Sequence, residues 1–129
     1  MKAIKYSLRH ANAVHVLDRF LNGECLTADE IRMYDDQGRV IEYINNKLLV
    51  PVSRTRIKQE DEYIRAWYLN DKDISDYHYD RERQIERQSR TVLQARQLRK
   101  AVTTADLLSS LGESVPESIR AIIAANDIY

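Results

Sequence analysis

Five side chains between positions 37 and 47 are of types that bind DNA. Arginine forms two hydrogen bonds with guanine, and asparagine or glutamine forms two with adenine. We therefore expect Arg39 to contact guanine and Gln37 or Asn46 to contact adenine. Tyr43 and Lys47 carry a hydroxyl and an ammonium group, which suit phosphate oxygens. The pattern predicts a helix that enters the major groove of a duplex.

A second basic group follows in an extended stretch. Arg54, Arg56 and Lys58 alternate along the chain, so that in a β-strand they share one face. Such a face suits the phosphate backbone or the minor groove. The alternative role for Arg54 and Arg56 is cross-strand ion pairing with Asp61 or Glu62.

Two short helices are predicted ahead of this region. The first covers His10 to Asn22 and ends before Gly23, which tolerates a left-handed cap. Its apolar stripe consists of Val14, Leu17 and Leu21, widened by Val16 and Phe20. The second begins at the capping box Thr27-Ala28-Asp29-Glu30 and ends near Tyr34.

A third helix, capped by Asp35 or Asp36, is expected to carry the five side chains named above. Either carboxylate is also an alternative partner for Arg39. The inward stripe of this helix consists of Val40, Ile41, Ile44 and Leu48.

The spacing of apolar residues changes after Leu48, from a helical period to an extended pattern. Val50 to Ile57 is β-branched and predicts a strand, 58–62 a turn, and Tyr63 to Leu69 a second strand. In that second strand Trp67 and Tyr68 are expected to pack in the hairpin rather than stack on bases.

These residues resemble a known pattern. Leu26 to Ile31, Gly38 to Ile44, Val50 to Ser53 and Trp67 to Leu69 together look like the small winged helix-turn-helix proteins of bacteriophages and prophages. The resemblance covers the N-terminal half only and implies DNA binding with a regulatory or replication role. Acidic residues depart from the pattern before the third helix and at the hairpin tip, where they repel phosphate: Asp35, Asp36, Glu60, Asp61 and Glu62.

The chain beyond position 70 differs in composition. Residues 71–80 are acidic and are interpreted as a linker, and 81–129 as a helical extension. Within the extension we expect a basic helix from Arg81 to Val102, a short helix capped by Thr103 or Thr104 and stopped by Gly112, and a last helix from the capping box at 114–117. The last helix has an apolar face made of Ile119, Ile122, Ile123 and Ile128.

The role of the basic helix stays open between a solvated helix, a dimerisation helix and a second nucleic-acid contact. Packing against the terminal helices or against a partner chain is favoured, since the apolar face of the last helix must be buried. We therefore expect a homo-oligomer.

Composition excludes several classes of function. The chain has 129 residues, of which 20 are basic and 20 acidic, so its net charge is zero. The basic and acidic residues are concentrated in different segments of the sequence. Cys25 is the only cysteine, and the histidines lack metal-ligand spacing, so we expect neither a metal nor a cofactor. A calcium loop at 71–82 is disfavoured because Asp76 stands where glycine is required. No catalytic motif is present, and no signal peptide or membrane span is recognised.

The sequence thus predicts a mostly helical, cytoplasmic protein with a β-hairpin, in which a winged helix-turn-helix domain at 1–70 precedes the linker and the extension. The predicted function is sequence-specific binding of double-stranded DNA, as a phage or prophage transcriptional regulator and not as an enzyme. The alternative is a phage protein-interaction module that binds and redirects a host protein. Its basis is the neutral net charge, the acidic hairpin tip and the basic C-terminal helix.

Overall fold

The computed structural model describes the backbone of residues 2–126 and the side chains of residues 8–126. The chain is mostly helical with a small three-stranded antiparallel sheet, so the predicted combination of helices with a β-hairpin is confirmed. It divides into two compact units, Met1–Ser89 and Arg90–Tyr129. The elements in order are α1 (Lys2–Leu21), β1 (Leu26–Thr27), α2 (Ala28–Arg32), α3 (Gln37–Asn46), β2 (Ser53–Gln59), β3 (Glu62–Tyr68), α4 (Asp71–Tyr79), α5 (Arg81–Ser110) and α6 (Glu117–Asn126).

Helix α1 is longer than predicted, because it begins at Lys2 rather than at His10. Of its predicted stripe, Val16, Leu17 and Phe20 are confirmed as buried, and Ala13 joins them. Val14 and Leu21 are only half-buried, and the fully inward residues follow the helical spacing i, i+3, i+4, i+7: Ala13, Val16, Leu17 and Phe20. The helix ends before Gly23, whose φ of 86° is the left-handed conformation expected of that glycine.

The capping box at Thr27 is confirmed. The Thr27 hydroxyl accepts a hydrogen bond from the Glu30 amide at 3.3 Å, and the Glu30 carboxylate accepts one from the Thr27 amide at 3.2 Å. Helix α2 ends at Arg32, slightly before the expected Tyr34, and buries Ile31.

An ion pair at the end of α1 stabilises the turn that precedes α2. Arg19 donates hydrogen bonds to both carboxylate oxygens of Glu24, at 3.1 and 2.9 Å. These bonds hold the pKa of Glu24 below its usual value and raise that of Arg19. The Arg19 guanidinium also lies 3.6 Å from Glu30, so it joins this turn to the capping box.

Strand β3 lies in the centre of the sheet, between β1 and β2. Leu26 and Thr27 of β1 pair with Trp67 and Ala66 of β3. Strand β2 begins at Ser53 rather than Val50, and pairs with β3 through a turn formed by Glu60 and Asp61 alone. Both turn residues have positive φ (48° and 67°), as a two-residue hairpin requires.

The core of the first unit combines α1, α2, α3 and one face of the sheet. Its largest fully buried side chains include Phe20, Leu26, Ile31 and Ile44, and Trp67 belongs to the same cluster. The expected packing role of Trp67 is thus what the structure shows, while Tyr68 is half-buried. Of the predicted stripe on α3, Val40 and Ile44 are buried, and Ile41 and Leu48 pack partly against the cluster.

The acidic segment 71–80, for which a linker is predicted, forms helix α4 instead. Asn70 caps it, with its side chain accepting a hydrogen bond from the Asp73 amide at 2.8 Å. Ile74 and Tyr77, three residues apart, pack against the core of the first unit. Two apolar contacts on one helix face therefore hold an otherwise polar segment in place.

Helix α5 continues through the predicted break at Thr103 and Thr104. Their hydroxyls donate to the carbonyls of Arg99 and Lys100, each at 2.9 Å, so neither acts as a cap. The helix ends before Gly112 (φ 73°), as predicted. Helix α6 follows from Glu117, and Ile128, predicted on its apolar face, lies outside the described residues.

Candidate nucleic-acid interface

The N-terminus of α3 is built by the two aspartates that the sequence left in question. Asp36 is the cap, and its carboxylate accepts a hydrogen bond from the Arg39 amide at 3.1 Å. The Asp35 carboxylate accepts from the Asp36 amide at 2.7 Å. The Arg39 side chain is exposed, and no carboxylate among the described residues forms an ion pair with it. Asp36 therefore caps the backbone and leaves the Arg39 guanidinium available.

The other predicted residues of α3 differ in accessibility. Lys47, the C-cap residue, is exposed, whereas Gln37 and Asn46 are half-buried. Tyr43 is also half-buried, and its hydroxyl lies 3.0 Å from Nδ1 of His10 on α1. The predicted phosphate contact of Tyr43 therefore has a competitor in the free protein.

The C-terminus of α3 is held by a side chain that sequence analysis did not single out. After the helix the chain passes through Leu49 in the left-handed region (φ 57°), which is costly for a residue with a side chain. Arg81 donates a hydrogen bond to the Leu49 carbonyl at 2.9 Å and another to the Leu48 carbonyl. Its guanidinium also lies over the Tyr77 ring, 4.9 Å from the centroid. Burial in this position lowers the pKa of Arg81.

Two glutamines on the same face of α5 complete this attachment. Gln84 is 1% exposed and donates to the Asp73 carbonyl at 2.9 Å, while accepting from Arg81 at 3.0 Å. Gln88 donates to the Asn45 carbonyl of α3 at 3.1 Å. We call Arg81, Gln84 and Gln88 the polar clamp. It supplies donors to the Asn45 carbonyl in the last turn of α3, to the Leu48 and Leu49 carbonyls that follow the helix, and to the Asp73 carbonyl of α4.

The strand register places the predicted wing cations on one face, as expected from their alternation. Lys58 lies opposite Tyr63, Arg56 opposite Arg65, and Arg54 opposite Trp67. Because directly paired residues share a face, these six side chains lie on the same side of the sheet. Trp67 on that side packs in the core cluster that contains Val40 and Ile44 of α3. The basic residues therefore extend the side of the sheet that faces the core of the first unit.

The basic wing face, defined as Arg54, Arg56, Lys58, Tyr63 and Arg65, includes two residues that were not predicted. Arg65 lies directly opposite Arg56, and Arg54, Arg56 and Arg65 line the same surface depression. Tyr63 is 70% exposed. The alternation in Tyr63-Ile64-Arg65 could have revealed both, once the two-residue turn had established the register.

Acidic residues of the hairpin do not neutralise this face. Glu62 pairs with Gln59, so it lies on the opposite side of the sheet from Arg56 and Arg65. Within the described part of the chain, none of the three wing arginines forms an ion pair, so the alternative pairing with Asp61 or Glu62 is not what the structure shows. Three like charges close together raise the local positive potential, which attracts an anionic ligand.

Other kinds of site find little support in the described residues. No group of three or more His, Cys, Asp or Glu side chains there could hold a metal ion. None of the helices described is long and apolar enough to cross a bilayer. No protein-family model, curated protein or solved structure matches this chain.

Replacing Arg81 by alanine should lower the free energy of unfolding by about 2–3 kcal/mol, because the Leu48 and Leu49 carbonyls that follow α3 lose a charged donor. Urea unfolding would measure this. The matched control is Arg83→Ala two residues later, whose side chain is 73% exposed and whose ion pair with Asp80 spans 3.8 Å. The control should change stability by less than about 0.5 kcal/mol. Equal losses in the two variants would contradict a specific role for Arg81.

Replacing Arg65 by threonine should raise stability at low salt by about 0.2–1 kcal/mol, because it removes a like charge directly opposite Arg56. The gain should shrink in high salt, where the repulsion is already screened. Lys58→Thr is the control for strand propensity, since Lys58 faces Tyr63 rather than a cation. Thermal unfolding of both variants across a salt series would measure the change in stability and its dependence on salt. A loss of stability in Arg65→Thr at every salt concentration would show that Arg65 stabilises the hairpin instead.

Proposed function

We propose that the first unit is a winged helix-turn-helix domain that binds double-stranded DNA. The order α1-β1-α2-α3-β2-β3, with β3 in the centre of the sheet, supports this proposal. The single observation that carries it is the basic wing face, which continues the side of the sheet whose Trp67 belongs to the same core cluster as Val40 and Ile44 of α3. In this proposal α3 enters the major groove while the wing contacts the adjacent backbone or minor groove.

Each predicted residue has a part in this arrangement. Arg39 is the strongest candidate for reading a base, because it is exposed in the first turn of α3 and free of ion pairs within the described chain. Lys47 and the wing cations supply phosphate contacts. Asn46 and Gln37 are half-buried, so they contribute only if their amides turn outward on binding. For Tyr43 to contact a phosphate, its hydroxyl has to leave its hydrogen bond with His10.

The biological role that we propose is transcriptional regulation by a phage-type protein that acts without a cofactor. It follows from base reading by a short helix, which confers sequence specificity, and from the absence of any motif for chemistry on DNA in the sequence.

DNA affinity should fall steeply with salt, and the wing arginines should contribute to the slope. Each phosphate contact that is removed reduces the slope of log K against log[salt] by about 0.9. The double variant Arg56→Gln/Arg65→Gln should therefore bind more weakly, with a slope shallower by about 2. Fluorescence anisotropy with a mixed-sequence duplex would measure both quantities.

The control for this experiment is Lys72→Gln/Arg83→Gln, which removes the same charge from α4 and α5. It should leave the slope within error of the wild type. Absence of binding at low salt would overturn the proposal. In that case a stoichiometric protein partner retained after nuclease treatment would instead support the alternative, a module that redirects a host protein.

Arg39→Ala should act on specificity rather than on general affinity. With a duplex selected from a random library, we expect a loss of about 1–3 kcal/mol, and with a scrambled duplex a much smaller loss. Lys47→Ala is the control, because the loss of a phosphate contact weakens binding equally for all sequences. Equal losses of Arg39→Ala on both duplexes would remove Arg39 from the base-reading role.

A further inference from the structure

The second unit buries very little of its apolar surface. Among its described residues only Ala101 is buried, although the unit contains the second half of α5 and all of α6. A segment of this size does not usually remain folded without a partner, a metal or a disulfide. The sequence has a single cysteine, which lies in the first unit at position 25. The apolar surface of the second unit is therefore accessible to a partner.

The exposed leucines of α5 and of the turn that ends it form one stripe. Leu93, Leu107 and Leu111 are 55%, 58% and 65% exposed. With 3.6 residues per turn they lie within about 40° of one another, and Leu111 lies five turns (about 27 Å) beyond Leu93. Leu111 keeps the helical hydrogen bond of its amide to the Leu107 carbonyl at 3.1 Å, so the stripe continues to the end of the helix. Val102 is also exposed but lies about 180° away.

If two copies of α5 pair in antiparallel orientation with position 102 at the centre, the stripes of the two copies face each other. Leu93 and Leu111 are both nine positions from 102, so they meet each other in an antiparallel pair of helices. Gln97 and Leu107 are both five positions away. Gln97 lines a groove between α5 and α6, together with Lys100, Ala101, Thr104, Ile119 and Ile122. The leucine at 107 of a second copy would thus enter an apolar groove, which is the usual arrangement of an interface anchor.

Charge favours the same direction. The exposed charges of α5 in this unit include the cations Arg96, Arg99 and Lys100 before position 102 and the acid Asp106 after it. Beyond α5 follow the acids Glu113 and Glu117 and the cation Arg120. Parallel pairing of two copies would place cations against cations. Antiparallel pairing places the cations of each α5 beside Asp106 of its partner.

We infer that the second unit is an antiparallel homodimerisation surface, in which the Leu93–Leu107–Leu111 stripe of one copy packs against the same stripe of a second copy. The interface is isologous, as two-fold symmetry requires. This inference concerns the second unit alone and does not depend on the proposed DNA binding.

Sedimentation of the full-length chain tests the surface. The wild type should sediment as a dimer of twice the 15.1 kDa monomer mass in the micromolar range. Leu107→Gln and Leu111→Gln should each weaken dimerisation on the order of tenfold, since each removes an apolar anchor. Val102→Gln on the opposite face is the matched control and should leave the dissociation constant unchanged. A monomeric wild type, or a stronger effect at Val102 than at Leu107, would overturn the inference.

Disulfide trapping tests the direction. In a Cys25→Ser background, an equimolar mixture of Leu93→Cys and Leu111→Cys chains should form a mixed disulfide between copies. Each variant alone should not, because its two cysteines are about 27 Å apart in an antiparallel pair and a disulfide needs Cα atoms within about 7 Å. Efficient homodisulfides of Leu93→Cys would demonstrate parallel pairing and contradict the inferred register.

Discussion

The carbonyls of the last turn of α3 and of the segment that follows it are the constraint on which the first unit depends. A helix leaves its last carbonyls without partners, and here the chain also turns through Leu49 with positive φ. The polar clamp of α5 answers both requirements, since Arg81 and Gln88 donate to the carbonyls of Leu48, Leu49 and Asn45. Asp36 caps the opposite end. The helix proposed to read DNA is therefore held at both termini, and the start of α5 is part of the same structural unit.

The pairing of β3 with β1 and β2 determines which charged side chains share a face of the sheet. Because alternate residues of a strand lie on opposite faces, a shift of one residue in register would exchange the faces. The observed register places Arg56 and Arg65 together and Glu62 on the other side. A chain with 20 cations and 20 acids thus presents a strongly basic surface without any excess of positive charge. Net charge alone would have argued against binding to nucleic acid.

Local signals were sufficient to predict much of the first unit, and contacts between distant segments were not. The capping box at Thr27 and the change of period after Leu48 indicate α2 and the hairpin, because each depends on neighbouring residues. Helix α4 was missed because only Ile74 and Tyr77 attach it to the core. The clamp was missed because Arg81, Gln84 and Gln88 follow helical spacing with polar side chains, whereas periodicity is usually read from apolar ones. The helical break expected at Thr103 fails because threonine hydroxyls bond within the helix.

Unfavourable local features help to separate structural from functional residues. The strain at Leu49 coincides with hydrogen bonds from Arg81, so the first unit itself offsets it. The positive φ values of Glu60 and Asp61 are required by a two-residue turn. The pairing of Arg56 with Arg65 has no such compensation, since no acid among the described residues pairs with either. Under the proposed function, a polyanionic ligand would convert their repulsion into binding energy, and this argument for the wing does not depend on the order of the helices.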